Sequence, residues 1–443
     1  MNFSVSVKNS LISEIDAMSN TPELFCNNPN KDFTRLRKIS FKDMLMFPIV
    51  MEGGTLRHEL YKYFDYDSKT LSNSAYCQQR NKIKVDTFKT LFHRFNNHYA
   101  PKPYKGKYQL MAADGCTFSF TRNPADTDAY YGPDGKSTKG FNQVHTVALY
   151  DLESERYVDA IIQPIRKKNE FRALSELIDA YAIRNTSPLT PIFLADRGFF
   201  AYNVFAHAIE NNAYFLIRIK DQNMKRLTGC EVLTDLLDND ITRILSRSKN
   251  KKKHKHPESE NSYRYICKAV RFDYLSPEDI YDEYIVNLRV LRFKITEDSY
   301  ENIVTNLPRN EFSSEDIKQL YHRRWGIETS FCKLKHVIGT GNFHSKKREY
   351  ITQEIWARLI LYNFCSIITQ HAAIKKCKRK YEYQVNFTVA FNACHYYIRQ
   401  HTGEKPPNIE SLIAQNILPI RPNRNYARQD RFQIPVSFTY RFS

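Results

Sequence analysis

Apolar residues recur at helical spacing through the first hundred positions, in FKDMLMFPIVMEGGTLRHELYKYF (41–64) and VDTFKTLFHRFNNHY (85–99), so residues 1–100 are expected to form a helical region. From Tyr108 the period changes. YQLMAAD (108–114), VHTVALYD (144–151), RYVDAIIQP (156–164), PIFLAD (191–196) and AYFLIRIK (213–220) read as short buried strands, the second and third joined by a hairpin turn. EFRALSELIDAYAI (170–183) and FAYNVFAHAIEN (200–211) read as helices. The order strand, strand, strand, helix, strand, helix, strand predicts a mixed sheet with helices packed on it.

Residues 221–308 break this order. A polar run, Lys249 to His256 (KNKKKHKH), precedes the strand-like stretches SYRYICKAVRF, EYIVNLRVLRFKI and ENIVTNL, which predict a β-rich insertion with an exposed basic loop. Its His254 and His256 read as solvated residues rather than metal ligands. After Pro308 one continuous helix is expected, with Ser313 as N-cap and Asp316 three residues on. Leu320, Ile327, Phe331 and Leu334 form its apolar stripe, and Gly339 or Gly341 can end it. Two further helical stretches, ITQEIWARLILYNFCSIITQHAAI and VNFTVAFNACHYYIRQH, complete the chain.

The charge balance adds a partner class. Lys and Arg number 66 against 48 Asp and Glu, a net charge of +18 that points to a polyanion. Residues 311–443 hold 21 of those cations against 10 acidic residues, and Arg421, Arg424, Arg428 and Arg431 crowd the end. The segment with the first five strands is nearly neutral. In the first hundred residues Arg35, Arg37, Lys38, Lys42, Arg80, Lys82 and Lys84 are compatible either with a solvated helix face or with a DNA-contacting bundle. Nine cysteines, scattered singly from Cys26 to Cys394, fit reduced thiols rather than a disulfide framework or a zinc ribbon. No stretch approaches the roughly 18 apolar residues of a membrane span, and a soluble protein of the cytoplasm is expected.

Two aspartates, Asp114 and Asp196, stand where predicted strands run out, at the rim of a sheet where a ligand can reach them. A lone aspartate there is usually a turn former. On the helix that follows the insertion, Tyr321, Arg324, Glu328 and Lys335 fall within roughly 60° of one another at about 100° per residue. Taken alone, that polar stripe is compatible with an ordinary surface ladder of helical ion pairs. Packing the neighbouring apolar stripe against the sheet would bring Glu328 towards both aspartates.

Asp114 in ADGCTFSF, Asp196 in ADRGFF and the Tyr-x2-Arg-x3-Glu-x6-Lys pattern at 321–335 together resemble the bacterial DDE insertion-sequence transposases with a YREK signature, the IS-four type. The resemblance covers most of the chain. It implies an α/β fold: a ribonuclease H-like mixed sheet core interrupted by a β-rich insertion, with a helical N-terminal DNA-binding region and a helical C-terminal region. The strand and helix order fits that core. The implied division is 1–100 for the N-terminal region, 101–220 and 309–372 for the two parts of the core, 221–308 for the insertion and 373–443 for a basic C-terminal region.

The resemblance further implies that Asp114, Asp196 and Glu328 are catalytic and hold two Mg²⁺ ions, with Mn²⁺ able to substitute, because in-line displacement at phosphorus needs hard oxygen ligands around two divalent ions. Tyr321, Arg324 and Lys335 would contact DNA phosphates. The implied partners are double-stranded DNA at terminal inverted repeats and target DNA, with a homodimer in the synaptic complex, no membrane, and a nucleoid-associated place in the cytoplasm. Cut-and-paste transposition through a hairpin intermediate is the implied reaction. A catalytically inactive DNA-binding descendant and a metal-dependent nuclease without strand transfer share the same signature. One departure concerns the tryptophan that relatives use to stack on a flipped base. Trp325 and Trp356 both lie outside the insertion, so Tyr263, Tyr265, Phe272 or Tyr284 would have to serve. Trp325 reads as a helix-packing residue, and Cys116, where a serine is common, as neutral.

Overall fold

A computed structural model describes residues 2–35, 37–133, 139–250, 255–256, 262–297, 299–339, 341–372, 382–400 and 407–420. Most of the lysine run, including His254, lies outside the described residues, as do Arg421, Arg424, Arg428 and Arg431.

Five helices open the chain: α1 (Phe3–Ser19), α2 (Phe41–Val50), α3 (Leu56–Tyr63), α4 (Asn73–Arg80) and α5 (Thr87–Asn96). Side-chain caps start three of them, Ser40 in a full capping box with Asp43, Thr55 and Ser72. Then come β1 (Tyr108–Phe120), β2 (Tyr130–Tyr131), β3 (Phe141–Asp151), β4 (Arg156–Pro164), α6 (Glu170–Arg184), β5 (Thr190–Ala195), α7 (Tyr202–Glu210) and β6 (Tyr214–Ile219). The order across the sheet is β4-β3-β1-β5-β6, with β3 antiparallel to β1 and to β4, and β5 parallel to β1 and to β6. That order and polarity are those of a ribonuclease H-like core.

The insertion holds α8 (Asp221–Thr228), β7 (Leu237–Ser246), β8 (Tyr263–Tyr265), β9 (Glu283–Thr296) and β10 (Ser299–Thr305). It does not form a sheet of its own. β10 pairs antiparallel with β6, and β9, β7 and β8 follow in order, so core and insertion share one ten-stranded sheet. The expected strand SYRYICKAVRF shrinks to the three residues of β8 at the sheet edge. After the insertion come α9 (Ser314–His322), α10 (Trp325–Cys332), a π-helical turn at Lys333–Val337, α11 (Arg348–His371), β11 (Tyr383–Val385), α12 (Phe387–Arg399), α13 (Ile409–Gln415) and β12 (Ile417–Pro419).

The alternation of side chains along β1 divides the core in two. Met111 and Ala113 face α6, α7 and the apolar side of the insertion. Leu110, Ala112, Cys116 and Phe118 face a larger cluster built by α1–α5, α10, α11 and α12 together. At its centre runs α11, 24 residues and about 36 Å long, buried on nearly every side. The N-terminal helices therefore share one hydrophobic core with helices from the other end of the chain. Arg80 is buried at that junction, donating to Glu354 Oε1 and Gln353 Oε1 at 2.9 Å each and to the Tyr350 carbonyl at 2.7 Å. Among the described residues no helix is long and apolar enough to cross a membrane, and eight cysteines are free.

Candidate active site

Asp114 lies in the middle of β1, not at its end. The strand continues to Phe120 because β3 keeps pairing with it as far as Asn142, whereas the parallel neighbour β5 stops at Ala195, opposite Ala113. The sheet rim is thus set by where β5 ends. Asp114 and Asp196 each directly follow one member of that last pair, on strands about 4.8 Å apart.

The Asp114 carboxyl is half-buried, and its pKa is pushed up to about 6. Burial is the main cause, opposed by the Gly115 N–H at 2.8 Å and by Arg324, and reinforced by the charges of Glu328 and Asp196. Asp114 thus feels both other carboxylates.

The continuous helix expected from Ser313 onwards is broken. Its capping box forms as expected, the Ser313 hydroxyl accepting from the Asp316 N–H. At Arg323–Arg324 the chain tightens, with Arg324 N–H donating to Tyr321 O and Gly326 N–H to Arg323 O, and α10 starts anew. Gly326 permits α10 to lie close to the β3–β4 hairpin, since a Cβ there would come 2.8 Å from a Leu152 methyl. The break leaves Tyr321, Arg324 and Glu328 on the site side. The Tyr321 hydroxyl donates to Asp196 Oδ1 at 3.5 Å, and burial drives the phenol pKa well above its ordinary value. Arg324 Nη2 donates to Glu328 Oε1 at 2.8 Å, and Nη1 lies 3.7 Å from Asp114 Oδ2. The guanidinium is only 4% exposed, yet Nη1 and Nε have no hydrogen-bond partner. Buried donors of that kind cost about 1–3 kcal/mol each when unmet, which favours an anion beside them.

Lys335 sits apart, in the π-helical turn. Its ammonium bonds the Cys116 thiol and lies 5.6 Å from the Phe118 ring centroid, so it rests on β1 beyond Asp114. Burial holds the Cys116 thiol up at about 11, hence protonated at neutral pH. Trp325, expected to pack within the fold, is instead 54% exposed, because the new helix start turns it outwards. Among the four aromatic residues considered in the insertion, Phe272 is buried, the Tyr263 and Tyr284 hydroxyls bond Glu283 and Glu210, and Tyr265 is exposed with Lys249 4.7 Å above its ring.

Two neighbours had no signal in the sequence. Glu301 on β10 is half-buried, pairs with Arg218 at 3.4 Å and feels Asp196 and Arg324, its carboxyl raised by burial. On the opposite face of β1, His145 Nε2 and Glu170 Oε1 stand 2.9 Å apart beside Gly115.

Among the described residues no group of three or more His, Cys, Asp or Glu is gathered closely enough to hold a metal ion, and the Arg324 guanidinium occupies the gap between Asp114 and Glu328. The donor chemistry nonetheless fits a hard divalent cation. Three carboxylates would supply oxygen ligands, and the Asp114 carboxyl, raised mainly by burial, has the charges of Glu328 and Asp196 beside it.

Residues 105–364 match the family described as Transposase DDE domain, and the chain belongs to that family. Divalent-metal chemistry on DNA is the family's general activity. No curated protein matches the chain. Among solved structures, a cryo-EM structure of a piggyBac transposase synaptic complex with hairpin DNA is similar at 10% identity and a TM-score of 0.43, over 88% of this chain and 77% of that one.

Proposed function

We propose that the protein is a DNA transposase of the IS-four, YREK-signature type, acting on the terminal inverted repeats of its own element by metal-dependent cleavage and strand transfer. The observation that carries the reading is the cluster around Arg324: a buried guanidinium bonded to Glu328 and ion-paired with Asp114, in a site whose third carboxylate, Asp196, accepts from Tyr321.

Asp114, Asp196 and Glu328 are the residues that would hold two Mg²⁺ ions, or Mn²⁺ in their place. Such ions would supply Lewis-acid stabilisation of the attacking and leaving oxygens. No protein nucleophile takes part. A water attacks the phosphorus, the bond to the 3′ oxygen breaks, and the freed 3′-hydroxyl is the next nucleophile, first on the opposite strand to form a hairpin and later on target DNA. Arg324 turns Nη1 and Nε to the phosphate, exchanging its ion pair with Asp114 for a bidentate grip. Tyr321 holds Asp196 in place, and Lys335 meets a phosphate further along β1. Residues 1–100 would supply DNA binding and two chains the synaptic complex, in the cytoplasm at the nucleoid. Tyr265, the exposed one of the four aromatic residues, would stack on a flipped base.

The test is Glu328→Gln. Mg²⁺-dependent nicking of a plasmid carrying the element's ends should vanish while gel-shift binding of the same ends persists; full cleavage by the variant would refute the site.

A further inference from the structure

Behind the two aspartates stands a carboxylate that the reaction above does not use. The ladder between β1 and β5 ends at the pair Ala113 and Ala195, and past it the two chains part. β1 runs on beside β3 to Phe120. The other chain turns at Arg197–Phe199, with the Phe199 N–H donating to the Asp196 carbonyl at 2.9 Å. No ladder pair therefore fixes Asp114 against Asp196, and the two residues hang from the arms of a fork.

Glu170, the first residue of α6, fills that fork. A Cβ on Gly115 would come 2.7 Å from its Oε1, and a Cβ on Gly198 would come 3.5 Å from its Oε2. One carboxylate thus lies against both arms, one residue past Asp114 and two past Asp196. Because side chains alternate along a strand, the contact with β1 is made on the face opposite to Asp114. Glu170 bears on the aspartates through their backbone.

The carboxylate is held in place. Its Oε1 is 2.9 Å from His145 Nε2, and this contact is the chief reason that its pKa lies below the ordinary value. The imidazole is buried on β3, with Nδ1 3.2 Å from the Thr117 hydroxyl on β1. Among the described residues Nε2 has no other acceptor. Asn169 caps α6 by accepting from the Arg172 N–H at 3.0 Å, which fixes the helix start from which Glu170 projects. An acidic residue in the first turn also suits the helix dipole. That role alone would be met with the side chain in solvent, whereas Glu170 is 30% exposed and turned onto the sheet.

We infer that Glu170 is a positioning residue: held by His145, its carboxylate wedges the fork between β1 and the turn after β5 and sets the separation of Asp114 and Asp196. The inference rests on the metal-holding role proposed above for those two residues, and it assigns the spacing of their ligand oxygens to a side chain that touches neither metal nor DNA.

The test is Mn²⁺ binding to the full-length protein, followed by electron paramagnetic resonance of the free ion, beside Mg²⁺-dependent nicking of a plasmid carrying the element's ends. Removing a group that orients metal ligands typically costs about 10–100-fold in metal affinity. Glu170→Ala should therefore raise the half-saturating Mn²⁺ concentration by about ten-fold or more and lower kcat for nicking, with KM for DNA unchanged. Glu170→Gln keeps the shape of the wedge and can still accept from His145, so it should stay within a few-fold of wild type. His145→Asn, too short to reach Glu170 but able to keep a partner for Thr117, should shift Mn²⁺ binding in the same direction as Glu170→Ala. Wild-type Mn²⁺ affinity in Glu170→Ala, whether or not its melting temperature falls, would overturn the inference and leave Glu170 as a helix-start residue only. Equal losses in Glu170→Gln and Glu170→Ala would overturn the wedge in favour of a role for the charge. A raised KM with kcat kept would overturn it in favour of a DNA contact. Mn²⁺ binding by Glu328→Gln that matches the wild type would overturn the metal-holding reading itself, and this inference with it.

Discussion

Gly115→Ala tests how tightly Asp114 is positioned. Gly115 has no side chain to place on the α6 face of β1, where a Cβ would come 2.7 Å from both Glu170 Oε1 and His145 Nε2. Ordinary contact begins near about 3.5 Å, so something must move by about 0.8 Å. Glu170 is part-exposed and can swing into solvent. His145 cannot, because its ring is buried, with Nδ1 3.2 Å from the Thr117 hydroxyl on the neighbouring strand. The strand must yield instead, and Asp114 moves with it. Overpacking of this kind costs about 1–3 kcal/mol in stability, and a displacement near 1 Å at reacting groups can cost about 100-fold in rate. Nicking of a plasmid carrying the element's ends should therefore fall by about two orders of magnitude with duplex binding retained. Gly115→Ala/His145→Ala, which vacates the space, should regain about ten-fold of that loss, a coupling expected only of residues in contact. Cleavage within a few-fold of wild type by the single variant, or no gain in the double, would refute the reasoning.

Arg80→Met leaves Glu354 buried without its partner and should lower unfolding free energy by about 3–5 kcal/mol, measured by urea denaturation. Burial would raise the Glu354 carboxyl, but Arg80 and His344 overcome it and hold the pKa down at about 2 against the ordinary 4.5. The stabilisation is therefore present above about pH 4.5 and is lost as pH falls through about 2, so the urea midpoint should drop across that window in the wild type and be flatter in Glu354→Gln. Trp325 is exposed and Trp356 is 3% exposed, so Trp325→Phe should remove nearly all the acrylamide-quenchable tryptophan fluorescence without lowering the melting temperature. Equal quenching of both proteins would contradict the outward turn at Arg324.

Much of the fold was legible because local rules and tertiary outcome agree. The five core strands, their two helices and the Ser313 capping box lie where period and caps indicate, since each is stabilised by its own residues. What sequence could not reveal depends on partners. The end of the hydrophobic run at Asp114 suggests a strand end, but β3 carries β1 six residues further. The wheel that aligned Tyr321, Arg324, Glu328 and Lys335 assumes one unbroken helix. The chain instead tightens at Arg324 and winds π-helically at Lys333–Val337, where Lys335 bonds Cys116, two residues beyond Asp114 on β1. Arg80 reads as one basic residue among seven, on a solvated face or a DNA-contacting bundle, because nothing local announces Glu354, 274 residues away. That the insertion extends the core sheet had no local signal, because β6 and β10 are distant in sequence and adjacent in space.

The common core of the N-terminal helices and α11 also sets a timetable. Nothing in residues 1–100 can bury its apolar face on α11 until the chain has grown past residue 371. At about 5–20 residues per second, that is a wait of roughly 15 to 50 s on the ribosome. Through that interval Arg80 has no Glu354 to pair with. The N-terminal helices therefore settle only late in the protein's own synthesis, and a fragment cut before α11 would be left with their sequence but not their shape.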